Sequence, residues 1–125
     1  MRALAWNCRS AGRSSTVRAL KELIRESNPD LVFLLETKIK SPRIANISNR
    51  LNFSQFQCVE AGGKSRGLAL FKRKGVDLEV VYSDKNMFAA LVYSDLLESP
   101  WILFAIYGPY RRAKGKFFGK CLKIW

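Results

Sequence analysis

The apolar positions near the start of the chain form two short runs on either side of an amphipathic stretch. Residues 3–6 (ALAW) and 31–35 (LVFLL) are continuously apolar, which is typical of strands covered on both faces. Between them, four apolar residues recur at helical spacing: Val17, Leu20, Leu23 and Ile24. Ser14 or Ser15 is expected to cap this helix, and Asn28-Pro29-Asp30 is expected to end it. The pattern predicts a βαβ unit with two parallel strands.

Farther along, the pattern changes to short strand-like segments separated by turns. A polar stretch at 41–52 is compatible with a helix, and Phe56 and Cys58 then alternate with polar neighbours. Four more segments are rich in β-branched and aromatic residues: Gly67–Lys72, Val76–Tyr82, Met87–Tyr93 and Trp101–Tyr107. This order predicts an antiparallel meander. The whole pattern predicts an α/β (α+β) domain built on one mixed sheet with a helix on one face.

Composition narrows the chemistry that the chain can perform. The 125 residues carry 22 Lys+Arg and 10 Asp+Glu, a formal charge of +12, and contain no histidine. The lack of histidine excludes Ser-His-Asp and Cys-His catalysis and the common zinc sites. The charge favours a polyanionic partner such as nucleic acid or an anionic membrane surface, although a merely solvated basic surface is the alternative.

Cysteine usage and apolar run lengths indicate the cellular environment. Cys8, Cys58 and Cys121 are odd in number and widely spaced, so we expect small buried side chains and no disulfide framework. No apolar run approaches the ~20 residues of a transmembrane helix. The apolar stretch at the N-terminus is also too short for a signal-peptide core. We therefore expect an intracellular protein, nuclear or cytoplasmic, that is not secreted.

Residues 114–125 differ from the rest of the chain in their pattern of apolar residues and lysines. On a helical wheel of 114–125, one arc holds six apolar residues: Phe117, Phe118, Cys121, Leu122, Ile124 and Trp125. Lys116, Lys120 and Lys123 lie on the opposite arc, while Gly115 and Gly119 weaken the helix. We interpret 110–125 as a basic amphipathic tail. It either docks its apolar side on the parent domain or binds a membrane surface or a partner.

Two polar residues stand directly after the two predicted parallel strands. Asn7 follows the first and Glu36 follows the second, so both are expected at the same edge of the sheet. A carboxylate and an amide oxygen this close suit a hard cation such as Mg²⁺. The alternative is structural: Asn7 caps a loop, and Glu36 pairs with a nearby lysine such as Lys38.

Four segments in order resemble the first half of the endonuclease/exonuclease/phosphatase domain. They are LAWNCRSAG at 4–12, NPDLVFLLETK at 28–38, GGKSRGLALF at 62–71 and IYGP at 106–109. Within that family, they are most similar to the apurinic-type endonuclease of plant non-LTR retrotransposons. The resemblance implies an incomplete α/β sandwich of two sheets, with 1–109 as the N-terminal half of the domain.

The resemblance also implies roles for individual residues. The family cleaves phosphodiester or phosphomonoester bonds with Mg²⁺. Glu36 matches the family's metal-ligand glutamate, and Asn7 matches the asparagine that orients this glutamate and the metal site. Tyr107 matches the tyrosine that hydrogen-bonds the scissile phosphate. These three residues are the expected half-site.

The chain also departs from the family pattern. The family's second half supplies a Gly-Asp-x-Asn segment and a Ser-Asp-His segment, and this sequence contains neither a Gly-Asp dipeptide nor a histidine. Ser10, Arg66 and Tyr110 replace residues that are usual in the retrotransposon pattern. We therefore expect a truncated, inactive remnant in which Mg²⁺ binding is weak or lost. A sheet face without its partner layer is expected to favour self-association.

The alternative function is a non-catalytic module that binds nucleic acid, with DNA as the expected partner. Five basic residues are candidates for phosphate contacts: Arg9, Arg13, Lys38, Lys64 and Arg66. Lys64 lies in Gly62-Gly63-Lys64-Ser65, which lacks the spacing of a phosphate-binding P-loop and is interpreted as a surface turn.

Overall fold

Two helices and seven strands make up the part of the chain that the computed structural model describes, residues 1–93 and 100–107. In chain order they are β1 (Ala3–Asn7), α1 (Ser14–Ser27), β2 (Leu31–Leu35), α2 (Ser41–Arg50), β3 (Gln55–Val59), β4 (Leu68–Lys72), β5 (Leu78–Asp84), β6 (Met87–Val92) and β7 (Trp101–Ile106).

The predicted βαβ unit is confirmed. β1 pairs with β2 in parallel, in a register that runs from Ala3 opposite Leu31 to Asn7 opposite Leu35. Residues 31–34 are all buried, as expected for a strand covered on both faces. α1 joins the two strands and turns Val17, Leu20 and Ile24 toward the core.

The predicted cap of α1, Ser14 or Ser15, is wrong by one or two positions. Arg13 is the cap residue: its carbonyl accepts hydrogen bonds from the amides of Thr16 and Val17, and no side chain caps the helix. Ser14 is already helical, so its hydroxyl is not at the position from which a cap acts. The predicted end is confirmed, because Asn28 adopts the left-handed conformation (φ 47°) and donates its amide to the Ile24 carbonyl.

The strands form two sheets, which corrects the single mixed sheet predicted from the pattern and confirms the sandwich implied by the resemblance. The first sheet has the order β1-β2-β4-β3, and the second is the meander β5-β6-β7. β4 leaves the predicted meander and pairs antiparallel with both β2 and β3. The physical reason is its burial: residues 68–71 are all buried, so β4 needs cover on both faces.

β5 also differs from its predicted bounds. It runs from Leu78 to Asp84, not from 76 to 82, and a β-bulge between Val80 and Tyr82 shifts its register against β6. The bulge places Val81 and Tyr82 side by side at the surface, 51% and 53% exposed. A two-residue alternation pattern cannot locate such an extra residue.

Two hydrophobic cores lie between three layers of secondary structure. One lies between the first sheet and both helices; it includes Leu20 of α1 and Ile44 of α2, packed with Val32 and Phe71. The other lies between the two sheets, where the rings of Phe33 and Phe88 meet edge to face with centroids 6.0 Å apart. The layers are therefore helices, first sheet and second sheet, in that order.

The remaining expectations concern cysteines and membranes. Cys8 is buried and Cys58 is half-buried; both are free thiols, while Cys121 and the tail at 110–125 lie outside the described residues. Within 1–93 and 100–107, neither helix has the length and apolarity needed to cross a bilayer. Self-association through an exposed sheet face stays a prediction. The structure contains one chain and offers no support for it.

Candidate active site

Asn7 and Glu36 meet at the carboxyl ends of β1 and β2. Asn7 is the last residue of β1, and its register partner Leu35 directly precedes Glu36. The Asn7 side-chain amide donates a hydrogen bond to Glu36 Oε2 over 3.2 Å. Two parallel neighbouring strands thus bring together polar groups that are 29 residues apart.

Tyr107 joins this pair from the second sheet. It directly follows β7, and its amide donates to the Asn86 carbonyl over 2.7 Å. Its hydroxyl donates to Glu36 Oε2 over 2.8 Å. The three residues of the expected half-site therefore lie together at one end of the sandwich, where they link its two sheets.

The backbone around Glu36 has an unusual conformation. Glu36 and Lys38 both have positive φ angles, 58° and 57°, which side-chain-bearing residues adopt at a cost of about 1–3 kcal/mol each. Hydrogen bonds from neighbouring segments hold this stretch: Thr37 donates its amide to the Gly67 carbonyl, and Lys38 donates to the Arg66 carbonyl. The Ala11 amide donates to the Thr37 carbonyl from the other side.

Gly67 and Thr37 are structural determinants of the site that sequence analysis missed. Gly67 has φ +90°, and a Cβ there would lie only 2.3 Å from Thr37 Oγ1. Thr37 is 1% exposed, and its hydroxyl has no hydrogen-bond partner among the described residues. The glycines of GGKSRG were the available signal, but only the fold shows that Gly67 is the one that contacts the segment after β2, beside Glu36.

The structure also contains contacts of the kind that the structural alternative predicted, a loop cap by Asn7 and an ion pair of Glu36. Asn7 Oδ1 accepts a hydrogen bond from the Arg9 amide, so Asn7 caps the following loop in addition to contacting Glu36. The ion pair of Glu36 is with Arg66, at 3.8 Å between Nη1 and Oε2. Lys38 contributes through its charge, which helps to lower the pKa of Glu36.

The surroundings stabilise the ionised form of Glu36. The hydrogen bond from Tyr107 is the largest cause that lowers the pKa of this carboxyl group, and Asn7, Arg66 and Lys38 add to it against the opposing effect of burial. Burial, followed by the hydrogen bond to Glu36, raises the pKa of the Tyr107 hydroxyl. Glu36 is therefore an anion and Tyr107 a neutral hydrogen-bond donor at neutral pH.

The five candidate phosphate-binding residues are all exposed, but they differ in their distance from this cluster. Three of them interact with the cluster. The Arg9 amide donates a hydrogen bond to Asn7, and Arg66 forms an ion pair with Glu36. The charge of Lys38 helps to lower the pKa of Glu36. Lys64 lies two residues before Arg66, in a turn that Gly62 and Ser65 close with two backbone hydrogen bonds. Arg13 caps α1, and no described contact brings it to Glu36.

The site offers one carboxylate, Glu36, so it suits only a metal ion that takes few ligands from the protein. Within the described ranges, no three or more acidic, cysteine or histidine side chains cluster as a metal cage. All three described side-chain partners of Glu36 reach Oε2. Mg²⁺ commonly binds through one or two carboxylates and completes its shell with water and substrate phosphate. A single glutamate fits that form of site.

The fold and this cluster define a two-sheet α/β sandwich with a polar site at one end of its strands. A comparison with protein families matches residues 4–112 to the Endonuclease/Exonuclease/phosphatase family. The chain belongs to this family. No curated protein matches the sequence.

Solved structures share the fold at low sequence identity. The AP endonuclease LMAP from Leishmania major superposes with a TM-score of 0.60 at 16% identity, covering 85% of this chain and 39% of that one. The 3'-5' exonuclease NExo from Neisseria meningitidis gives a TM-score of 0.55 at 20% identity, with 91% and 47% covered. A humanized TDP2 of D. rerio gives 0.57 at 14% identity, with 91% and 51% covered. The chain thus spans 39% to 51% of the length of these structures.

Proposed function

We propose that this chain carries the N-terminal half of a Mg²⁺-dependent phosphodiesterase site for DNA, and that the 125 residues alone do not cleave it. One observation carries the proposal. The Glu36 carboxylate accepts hydrogen bonds from Asn7 on the first sheet and from Tyr107 at the end of the second, and it lies beside the Arg66 guanidinium. Membership of the Endonuclease/Exonuclease/phosphatase family supports the reaction class. The four quoted segments further support an origin in a plant non-LTR retrotransposon. A DNA-directed protein of this kind is expected in the nucleus or cytoplasm.

Each residue of the half-site has a distinct role in this proposal. Glu36 would hold Mg²⁺ through its carboxylate, and the ion would neutralise developing charge on a phosphoryl oxygen. Asn7 orients the carboxylate through its 3.2 Å hydrogen bond. Tyr107, as a neutral phenol with a raised pKa, can donate its proton in a hydrogen bond to a bound phosphate.

The proposed lack of cleavage rests on the groups that the sequence lacks. A phosphodiesterase also needs a group that activates the attacking water, and the family uses the Asp and His of its second half for this purpose. The 125 residues contain neither a histidine nor a Gly-Asp dipeptide. Loss of central members of a catalytic unit commonly lowers the rate by several orders of magnitude.

The decisive experiment separates metal binding from cleavage. Mg²⁺ binding to the purified chain is measured by titration calorimetry, and nicking is measured on supercoiled plasmid with and without EDTA. We expect weak Mg²⁺ binding that Glu36→Gln abolishes and that Glu79→Gln preserves, since Glu79 bonds Tyr93 on the second sheet. We expect no nicking. EDTA-sensitive nicking lost in Glu36→Gln would show that the chain is an active enzyme. Unchanged Mg²⁺ binding in that variant would exclude the proposed site.

A non-catalytic DNA-binding module is the second candidate. The observation that favours it is the group of exposed cations around Glu36, namely Arg9, Lys38 and Arg66, in a chain of formal charge +12. Phosphate contacts make the affinity fall steeply with salt. Such a protein needs neither Mg²⁺ nor water activation.

This candidate is tested by fluorescence anisotropy with a labelled duplex over a salt series. Replacing Arg9 and Arg66 by alanine should weaken binding and lower the salt slope by about one for each lost contact. The control variant replaces Arg18 and Lys21, two exposed cations on α1, and removes the same charge. Equal losses in both variants would mean that binding follows net charge and not this site.

A further inference from the structure

Arg66 lies beside the half-site because of the position of its backbone. β4 runs antiparallel to β2, and its first residue, Leu68, is opposite Leu35. Just before this strand, the Arg66 carbonyl accepts a hydrogen bond of 2.9 Å from the Lys38 amide. Arg66 is also one of the residues that depart from the retrotransposon pattern. Its contacts are therefore features of this particular chain.

The Arg66 side chain interacts with two members of the half-site. Its Nη1 lies 3.8 Å from Glu36 Oε2, and the side chain also interacts with the Tyr107 hydroxyl. The same Oε2 accepts hydrogen bonds from Asn7 over 3.2 Å and from Tyr107 over 2.8 Å. One carboxylate oxygen therefore has three partners, and of these three Arg66 is the one that carries a positive charge.

The ion pair is weak enough for Arg66 to exchange its partner. The Arg66 side chain is 61% exposed, whereas that of Glu36 is 13% exposed. Ion pairs with an exposed member typically change an equilibrium by less than about fivefold. A guanidinium can instead bind a phosphate through two parallel charge-assisted hydrogen bonds, which is a stronger interaction. A DNA phosphate near Glu36 would therefore draw Arg66 away from the carboxylate.

Mg²⁺ would compete with Arg66 for the same carboxylate. Two cations at one oxygen repel each other, so Arg66 must move away when Mg²⁺ binds to Glu36. If a phosphate has already taken up the guanidinium, Mg²⁺ binds without having to displace it. Because binding free energies are linked, each ligand then favours the binding of the other by the same factor.

We propose that Arg66 couples Mg²⁺ binding to DNA binding, pairing with Glu36 in the ligand-free chain and transferring to a phosphate when DNA is bound. The inference rests on the proposed function, because it takes Glu36 as the Mg²⁺ ligand. It goes further by assigning to Arg66 a regulatory role, in which the site gains affinity for the metal when the nucleic acid is present.

Mg²⁺ titrations of the full chain, with and without a saturating short DNA duplex, test the coupling. The readout is the NMR signal of the Asn7 side-chain amide, which bonds Glu36 and so reports Mg²⁺ at this carboxylate and not on the DNA. The coupling factor is the ratio of the two Mg²⁺ dissociation constants, without and with duplex, at constant ionic strength. Lys64→Ala is the matched control for Arg66→Ala, because it removes the same charge from an exposed position in the neighbouring turn.

We expect the coupling factor of Arg66→Ala to be about two- to fivefold smaller than that of the parent chain, because Mg²⁺ no longer has to displace a cation. Lys64→Ala should keep the parent's factor. The Nε signal of Arg66, assigned by its absence from Arg66→Lys, should also shift when the duplex is added without Mg²⁺.

Equal coupling factors in the parent and in Arg66→Ala would overturn this inference and leave the proposed Mg²⁺ site intact. An equal reduction in Arg66→Ala and Lys64→Ala would assign the coupling to net charge and would overturn it as well. A parent chain whose Asn7 signal does not respond to Mg²⁺, with or without duplex, would exclude the proposed site itself and the inference with it.

Discussion

Replacing Gly67 by alanine should destabilise the fold through two separable effects. The first is conformational, because an L-residue at φ +90° leaves the favoured regions at a cost of about 1–2 kcal/mol. The second is steric. The new Cβ would lie 2.3 Å from Thr37 Oγ1 and 3.1 Å from the Lys38 amide nitrogen, both in the segment that follows Glu36. Overpacking of this kind typically costs about 1–3 kcal/mol.

Gly75 provides the matched control for the first effect. It has φ +96°, and a Cβ there meets nothing within 4 Å. Gly75→Ala should therefore cost about 1–2 kcal/mol and Gly67→Ala about 2–5 kcal/mol, so that the difference of roughly 1–3 kcal/mol measures the clash. Such a loss is a large fraction of the ~5–15 kcal/mol that stabilises a typical domain.

Urea unfolding followed by far-UV circular dichroism measures both variants against the parent chain. Adding Thr37→Ala to Gly67→Ala removes the clashing oxygen, whose loss leaves no described partner unpaired. We expect this double variant to recover part of the lost stability. Equal losses in Gly67→Ala and Gly75→Ala, or no recovery in the double variant, would refute the steric reasoning.

Three further predictions test the site and the core. Tyr107→Phe should raise the pKa of Glu36 in an NMR titration, because the Tyr107 hydrogen bond is the largest cause that lowers it. The same change should reduce the stability that the ionised carboxylate provides near neutral pH and that is lost as the pH falls below the ordinary value of 4.5. An unchanged acid-unfolding curve would contradict this. Arg66→Ala should tighten Mg²⁺ binding by no more than about fivefold in calorimetry, because the ion pair with Glu36 is long, at 3.8 Å, and its Arg66 side chain is 61% exposed; weaker binding would contradict it. Phe88→Ala should cost about 3–5 kcal/mol in urea unfolding, whereas the exposed Lys64→Ala should change stability by less than about 0.5 kcal/mol.

Part of the candidate site could be read from the sequence because it depends on local order. Asn7 ends β1 and Glu36 directly follows β2, and the helix between these two strands makes the strands parallel neighbours. The contact of Tyr107 with Glu36 joins residues 71 positions apart and depends on how the two sheets stack. Only the resemblance to a family, and not the residue pattern, had associated Tyr107 with the other two.

The same distinction applies to the fold. Periodicity identifies strands and helices because each element buries a face with its own repeat, and most predicted elements exist within one or two residues of their expected bounds. Beyond the βαβ unit, the pattern did not indicate which strands become neighbours. The position of β4 in the first sheet follows from the need to bury both of its faces, which only the assembled layers reveal.

The sequence by itself determined the family, the βαβ unit, the excess of positive charge and the absence of any histidine, since these depend on composition and on order along the chain. Only the tertiary structure decided that the strands divide into two sheets, that Arg66 pairs with Glu36, and that Gly67 has no space for a side chain. These features depend on packing between segments distant in sequence, where a few ångströms of separation decide which groups interact.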